Sequence, residues 1–423
     1  MYRLVSELFP INRSITGNGT RKTLSFLSQI LPEMNIFEIP SGTKVFDWIV
    51  PDEWNVNEAW IKDEEGKKII DFSHNNLHLM GYSTPIKKTL CLEELQNHLF
   101  SLPDQPNAIP YITAYYNKGD RWGFCLKDND RKQLRHGNYD VYIDSVLTPG
   151  HLTYGEVVLP GKEDREVLIS TYICHPSMAN NELSGPVVAI SILDWLKKQK
   201  ERKYTYRAVF IPETIGSLVY LDKHFKHLKE KLDAGFVLTC IGDNNSYSML
   251  ESRYGKTLAD KVAKHVLKYH FPNFNTYSFL ERGSDERQYC APGFDLPVCS
   301  LMRTKYSCYP EYHTSLDNLD FISPEGLYGG FCVVQKCIML LEKNHTYKTK
   351  ILGEPQLGKR GLYPTISTKA TNQNVRRMMN LIAYSDGTKD LIDIAETIGE
   401  NCLDLIELAE KLVNFDILDI LQR

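Results

Sequence analysis

The ten cysteines of this 423-residue chain form no Cys-x-x-Cys pair and follow no regular spacing. That excludes a zinc knuckle or a dithiol redox motif and fits reduced, mostly buried thiols. No run of eighteen apolar residues occurs, so no membrane helix is expected. The opening stretch, MYRLVSELFPINRSITGNG, has neither a continuous apolar core nor a small-residue cleavage site. No signal peptide is read there, and a cytoplasmic location is expected. Neither sign of charge dominates: 49 Lys and Arg stand against 53 Asp and Glu, a net of −4. That balance argues against nucleic acid or an anionic membrane as the main partner. What remains is ordinary for a globular chain, with 42% hydrophobic and 24% charged residues, and its length suggests two or three domains.

Taken in order, residues 2–37 read as an amphipathic helical start, broken by a turn at Asn12 to Gly19. Arg13 and Ser14 lie in that polar turn, within reach of a site. Between Pro40 and His151 the texture changes, with four of the five tryptophans among short alternating runs and Gly, Pro and Asn-rich turns. This predicts a β-rich module containing one helix over Thr89 to Leu102. From Gly155 to Leu341 apolar runs alternate with helical patterns, which predicts a mainly parallel sheet with helices on both faces. A Gly and Pro-punctuated linker, Ile351 to Pro364, leads to three short helices and a terminal extended hairpin, the pattern of a winged helix. Over Ile366 to Arg423 six Lys or Arg face ten Asp or Glu, the wrong sign for a phosphate surface. Because the helical start precedes the β-rich stretch and the α/β pattern follows it, the stretch reads as an insertion. The expected division is residues 1–40 with 152–345, an insert over 41–151, and a winged-helix module over 366–423.

Chemistry-bearing residues fall at the strand ends. The run EVLISTYI delivers His175, and Pro176 ends the strand. Asn181 and Glu182 follow, then Ser184-Gly185 opens a helix. Glu213 follows YTYRAVFIP, Asp243 follows FVLTCIG, Asp285, Glu286 and Arg287 lie in ERGSDERQY, and His313 lies in PEYHTSLDNLD. Open α/β sheets present ligands at the carboxyl ends of their strands. Two imidazoles with several carboxylates form the ligand set that zinc favours, and a neighbouring carboxylate can move the proton of an activated water.

On these motifs the chain resembles the zinc aminopeptidase superfamily, which carries a strand-end His, an Asn-Asp-x-x-Ser-Gly loop, a Glu-Glu pair, a further Asp and a late Tyr-His-Thr. Within it, the chain resembles a group of bacterial aminopeptidase-like proteins with an inserted β domain and a carboxy-terminal winged helix. The resemblance implies a zinc-exopeptidase α/β fold, His175 and His313 as first and last zinc ligands, Glu213 as general base, and Asp285 near the substrate. It also exposes departures. Asn181 replaces the metal-bridging aspartate, Thr214 the second glutamate, and Thr239 the aspartate before x-x-Gly. A neutral amide bridges two cations poorly. One zinc rather than two is therefore expected, held by His175, Glu182 and His313, with Asp243 as the alternative carboxylate or a group orienting a histidine.

The expected activity is that of a zinc-dependent exopeptidase or related amide hydrolase, activating one water on one zinc with Glu213 as base. Its substrate would be a small peptide or an amide-containing small molecule. Asp285 or Glu286 could hold an ammonium, and Arg287 or Arg303 a carboxylate. Homo-oligomerisation through the insert or winged helix stays open. The rival reading is a binding or scaffold protein that keeps the fold but has lost catalysis, supported by the missing second-metal ligands.

Overall fold

Runs of Val, Ile, Leu and aromatic residues between charged turns form the central strands, and the computed structural model describes residues 1–115, 121–271, 273–362 and 369–421 of the chain. Helices α1 (Tyr2–Leu8) and α2 (Asn18–Ile30) lead into β1 (Asn35–Pro40). Next come β2 (Glu53–Lys62), β3 (Lys68–Asp71), β4 (Ile86–Cys91) and β5 (Asn138–Thr148). The chain continues through β6 (His151–Leu159), β7 (Glu166–Tyr172), α3 (Ser184–Lys197), β8 (Thr205–Ile211), α4 (Ile215–Lys231), β9 (Leu232–Leu238), β10 (Ser248–Leu250) and α5 (Leu258–His270). It then runs through β11 (Asn275–Tyr277), β12 (Val298–Met302) and α6 (Pro324–Lys343).

The main sheet has eight strands in the order β1-β6-β8-β7-β9-β12-β10-β11. Its centre, β8-β7-β9-β12, is parallel, while β1, β6 and β10 pair antiparallel with their inner neighbours. Every residue of β7 is buried, as a strand covered on both faces requires. The four parallel strands point their carboxyl ends the same way, so the segments after Tyr172, Ile211, Leu238 and Met302 meet along one edge. Helix α3 lies so close to the sheet that a Cβ on Gly185 would come within 2.3 Å of the Leu238 carbonyl oxygen and 2.4 Å of Thr171 Oγ1. Glycine is therefore required just after the site loop, and Pro186 sits in the first turn of α3, where its missing N–H breaks no helical bond.

Strands β2 to β5 form a separate antiparallel sheet in the order β3-β2-β5-β4, lying in the chain between β1 and β6. Trp54 is buried in its core, stacks on Tyr82 at 5.4 Å, and donates through Nε1 to the Ser83 carbonyl at 3.0 Å. The helix expected over Thr89 to Leu102 is replaced at its start by β4, followed by single turns at Leu92–Leu95 and Gln96–His98. Pairing of Ile86 to Cys91 with β5 overrides the local helical periodicity there. Likewise the expected helical start ends at Ile30, and Asn35 to Pro40 joins the sheet edge.

By contacts the chain divides into two compact units, Met1–Ala259 with Asn275–Cys332 and Asp260–Phe274 with Val333–Arg423. The second contains β13 (Thr346–Thr349), α7 (Lys369–Tyr384), β14 (Asp386–Asp390), α8 (Leu391–Ile398), α9 (Cys402–Asn414) and β15 (Leu418–Leu421). Asp390 caps α8 by accepting from the Asp393 N–H at 3.0 Å, and Gly399, at φ 73°, ends it in the left-handed region. The final strand does not fold back in the expected terminal hairpin. It pairs instead with β13, which lies before the linker, giving a sheet ordered β14-β13-β15. The end of the expected linker, residues 363–364, lies outside the described residues. No helix among the described residues is long and apolar enough to cross a membrane.

Candidate active site

His175 follows β7 directly: Ile173 still donates to the Ile211 carbonyl at 2.9 Å, and the chain then leaves the sheet. The imidazole is buried. Its Nδ1 lies 2.8 Å from Glu182 Oε2, and an ionised carboxylate there accepts from Nδ1–H in the charged ring and selects the Nδ1–H tautomer in the neutral one. Its Nε2 lies 3.7 Å from Glu213 Oε2. Burial lowers the His175 pKa, but the surrounding Cys174, Tyr111 and Glu182 outweigh it and raise the pKa well above the usual range. Glu182 sits on a turn of wide helix, Ala179–Leu183, with its other oxygen 3.7 Å from Arg13 Nε. Arg13 is fully buried and donates to the carbonyls of His175, at 3.0 Å, and Leu8, at 2.7 Å. The amino-terminal turn thus does reach the site.

His313 faces His175 with ring centroids 5.4 Å apart. It adopts a positive φ of 55°, a strained conformation for a residue with a Cβ. Tyr312 stacks on it at 3.9 Å, and Tyr111 stands edge-on to both histidines, at 5.3 Å from His175 and 5.2 Å from His313. Tyr111 belongs to the segment between β4 and β5. That segment hydrogen-bonds to the His313 loop through Tyr111 N to His313 O at 2.9 Å and Ser315 N to Ile109 O at 2.9 Å. Burial, reinforced by the charge of His175, pushes the His313 pKa down to about 3, so its imidazole is neutral.

Glu213 is one-fifth exposed, and its backbone N–H donates to Cys174 Sγ at 3.2 Å. Burial raises its pKa, opposed by His175 and Arg287. Thr214, at φ 67°, donates its N–H to Asp285 Oδ1 at 2.7 Å, and Ser217 Oγ adds a second bond at 2.9 Å. Asp285 is fully buried and its Oδ2 has no partner. Burial, then the negative charge of Glu213, pushes its pKa up to about 7.

Two expected substrate or supporting groups prove to be structural. Glu286 is fully buried: it accepts from the backbone of Gly283 and Ser284, from Tyr306 Oη at 2.8 Å and from Ser300 Oγ at 2.9 Å. Its oxygens close the Gly283–Ser284 turn and leave none for an ammonium. Asp243, also fully buried, accepts from Asn180, Asn245 and Thr304 and bonds neither histidine. Arg303 gives its Nε to the Ser246 carbonyl at 2.6 Å and Nη1 to that of Gly326, under Tyr247, so it is not available to a substrate carboxylate. Arg287 remains, donating to Thr214 Oγ1 beside Glu213.

The three substituted positions are engaged with protein. Asn181 Nδ2 donates to Tyr172 Oη at 3.0 Å, and that hydroxyl also bonds Thr239 Oγ1 at 2.5 Å. Asn181 Oδ1 is buried without a partner. Asp317, which sequence reasoning passed over, accepts the backbone N–H groups of Asn180, at 2.6 Å, and Asn181, at 2.9 Å, and so shapes the loop carrying Glu182. Its place four residues after His313 in YHTSLDNLD was the available signal. Among the described residues, the one group of three metal-type donors within 4.8 Å of one another is Cys174, His175 and Glu182. Within that group Glu182 Oε2 is taken by His175 Nδ1, Glu182 Oε1 is buried without a hydrogen-bond partner 3.7 Å from Arg13 Nε, and burial pushes the Cys174 thiol up to about 11. It is a poor thiolate site.

The sheet order, the strand-end histidines and the terminal helices define an aminopeptidase-like α/β protein with a winged helix at its carboxyl end. The chain belongs to the DUF4910 family, described as a domain of unknown function, which matches residues 2–344; a winged helix-turn-helix family matches 345–420. A Clostridium acetobutylicum relative named "putative polysaccharide biosynthesis protein with aminopeptidase-like domain" is 41% identical over 99% of this chain and 96% of its own. A crystal structure of a "putative peptidase" from Clostridium acetobutylicum superposes with TM-score 0.92 at 40% identity, over 99% of this chain and 96% of that one. BSAP, a zinc aminopeptidase from Bacillus subtilis, shares the fold with TM-score 0.58 at 13% identity, over 80% of this chain and 93% of its own.

Proposed function

We propose that this protein hydrolyses peptide or other amide bonds using one zinc ion held by His175 and His313, with Glu213 as general base. The observation that carries this reading is His175 Nε2 set 3.7 Å from Glu213 Oε2, with Nδ1 already held by Glu182. The residues present fit one divalent cation: two imidazoles, one of them neutral, and the partnerless amide oxygen of Asn181. Bound zinc would polarise the amide carbonyl and acidify a water. Glu213 takes the proton and returns it to the leaving amine, and its raised pKa helps it hold the proton between the two steps. Glu182 is assigned to positioning His175 rather than to the metal, because its two oxygens face Nδ1 and Arg13. Asp285 supports the turn that carries Glu213. One ion is favoured over two because Asn181, Thr214 and Thr239 replace carboxylates and are tied to Tyr172 and Arg287.

Those same replacements support the second reading, a scaffold that binds without turnover. A screen of aminoacyl, acyl-amino-acid and N-acyl amino-sugar amides separates the two readings; the sugars are included because the Clostridium relative is named for polysaccharide biosynthesis. Turnover by the zinc-loaded protein, lost in Glu213→Gln, supports the hydrolase. Turnover of none of these amides supports the scaffold. For the winged helix we favour a protein contact. The exposed residues Asp404, Glu407 and Glu410 make helix α9 acidic, the opposite of what a phosphate backbone attracts.

A further inference from the structure

Arg287 links the candidate active site to a second feature. While Nη2 bonds Thr214, the side chain lines a cleft of about 660 Å³ whose walls also carry Arg253, Arg282, Tyr254 and Leu280. The lining carries three guanidinium groups and a single carboxylate, Glu251. Arg253 is ion-paired with Asp295 at 2.5 Å, and Arg282 lies over the Phe279 ring at 5.0 Å. The Nε groups of both Arg253 and Arg287 are buried and have no acceptor. Buried donors of this kind leave a desolvation cost that an incoming acceptor removes. Tyr254 is 68% and Leu280 86% exposed, large apolar surfaces at the rim of a charged cleft.

We propose that this cleft is a subsite for an anionic group of the substrate, a carboxylate or a phosphate, carried on the part of the molecule next to the bond that Glu213 serves. Guanidinium forks match planar or tetrahedral oxyanions by paired hydrogen bonds, and the apolar rim suits a hydrocarbon or ring body. Arg287 couples the two places: the group that selects the anion also holds the turn beginning with Glu213. The proposal rests on the amide-hydrolase reading for its orientation, but its test reads binding and not turnover.

The experiment is calorimetric titration of the full-length protein with hippurate, phenyl phosphate and neutral benzamide, with zinc and after EDTA treatment. Arg282→Met and Arg287→Met are compared with the wild type and with Lys67→Met, which lies in a different cleft. The expected result is anion binding that survives EDTA, weakens at least tenfold in both arginine variants and is unchanged in Lys67→Met, with no measurable benzamide binding. The tighter of the two anions names the chemistry. Because Arg282 is exposed, its variant keeps the test valid if Arg287→Met fails to fold. Binding lost with the metal, shared by benzamide or indifferent to both arginines would overturn the proposal. A failed hydrolysis screen would leave anion binding standing, and failed anion binding would leave the hydrolysis test standing.

Discussion

Glu182 Oε2 lies 2.8 Å from His175 Nδ1, while the opposite ring nitrogen points to Glu213. A carboxylate so placed fixes the tautomer and rotation of the imidazole and raises its basicity toward whatever Nε2 meets. Glu182→Gln keeps the shape but removes the charge. We expect zinc affinity to fall by about 10 to 100-fold with the fold intact, measured by competition with a chromogenic chelator.

Arg13 and Glu182 are both fully buried and 3.7 Å apart. Removing one partner strands the other charge, so Arg13→Met should destabilise the protein by about 3–5 kcal/mol in urea unfolding. A change near zero would show that the pair does not hold the amino-terminal turn to the site.

Asp285 sets a pH dependence whose sign follows from its burial. Its pKa is raised to about 7 from 3.8, so between those values the folded state binds more protons than the unfolded state. Its contribution is complete below pH 3.8 and is lost as the pH rises through about 7. Ionising Asp285 therefore costs the metal-free protein stability from pH 5 to pH 8. Asp285→Asn, which can still accept from Thr214 and Ser217, should lose less over that interval in matched denaturant titrations.

Gly185 tests how closely α3 approaches the sheet. An added methyl would sit 2.3 Å from the Leu238 oxygen, so Gly185→Ala must shift backbone. A loss of about 1–3 kcal/mol in thermal unfolding is expected, with lowered zinc affinity because the loop before it carries Glu182.

Much of this arrangement was legible in the sequence because it is local. Apolar runs ending in Pro176 and Pro212 marked strands whose ends present His175 and Glu213, and helix α3 was visible in its periodicity. What was not legible depends on contacts distant in sequence. Tyr111 reaches the histidines only because residues 109–111 pair with the loop around Ser315. Asp243 and Glu286 carry the right chemistry in the sequence, yet backbone and hydroxyl donors from other segments saturate them. The strand at Leu418–Leu421 needs Thr346–Thr349, across the linker, as its partner. Glu182 was visible as a carboxylate near His175, but only geometry shows which ring nitrogen it serves.

Glu213→Gln should retain zinc while hydrolysis falls by about 10²–10⁴-fold, the usual contribution of a positioned base. Loss of metal together with activity would make Glu213 a ligand instead.

The central claim is one zinc held between His175 and His313, and elemental analysis of protein purified without chelator tests it most directly. The account predicts about one zinc per chain, lost in both His175→Ala and His313→Ala and retained in Cys174→Ala. Two ions per chain, no zinc after reconstitution, or zinc that leaves with Cys174 and stays without His313 would contradict it.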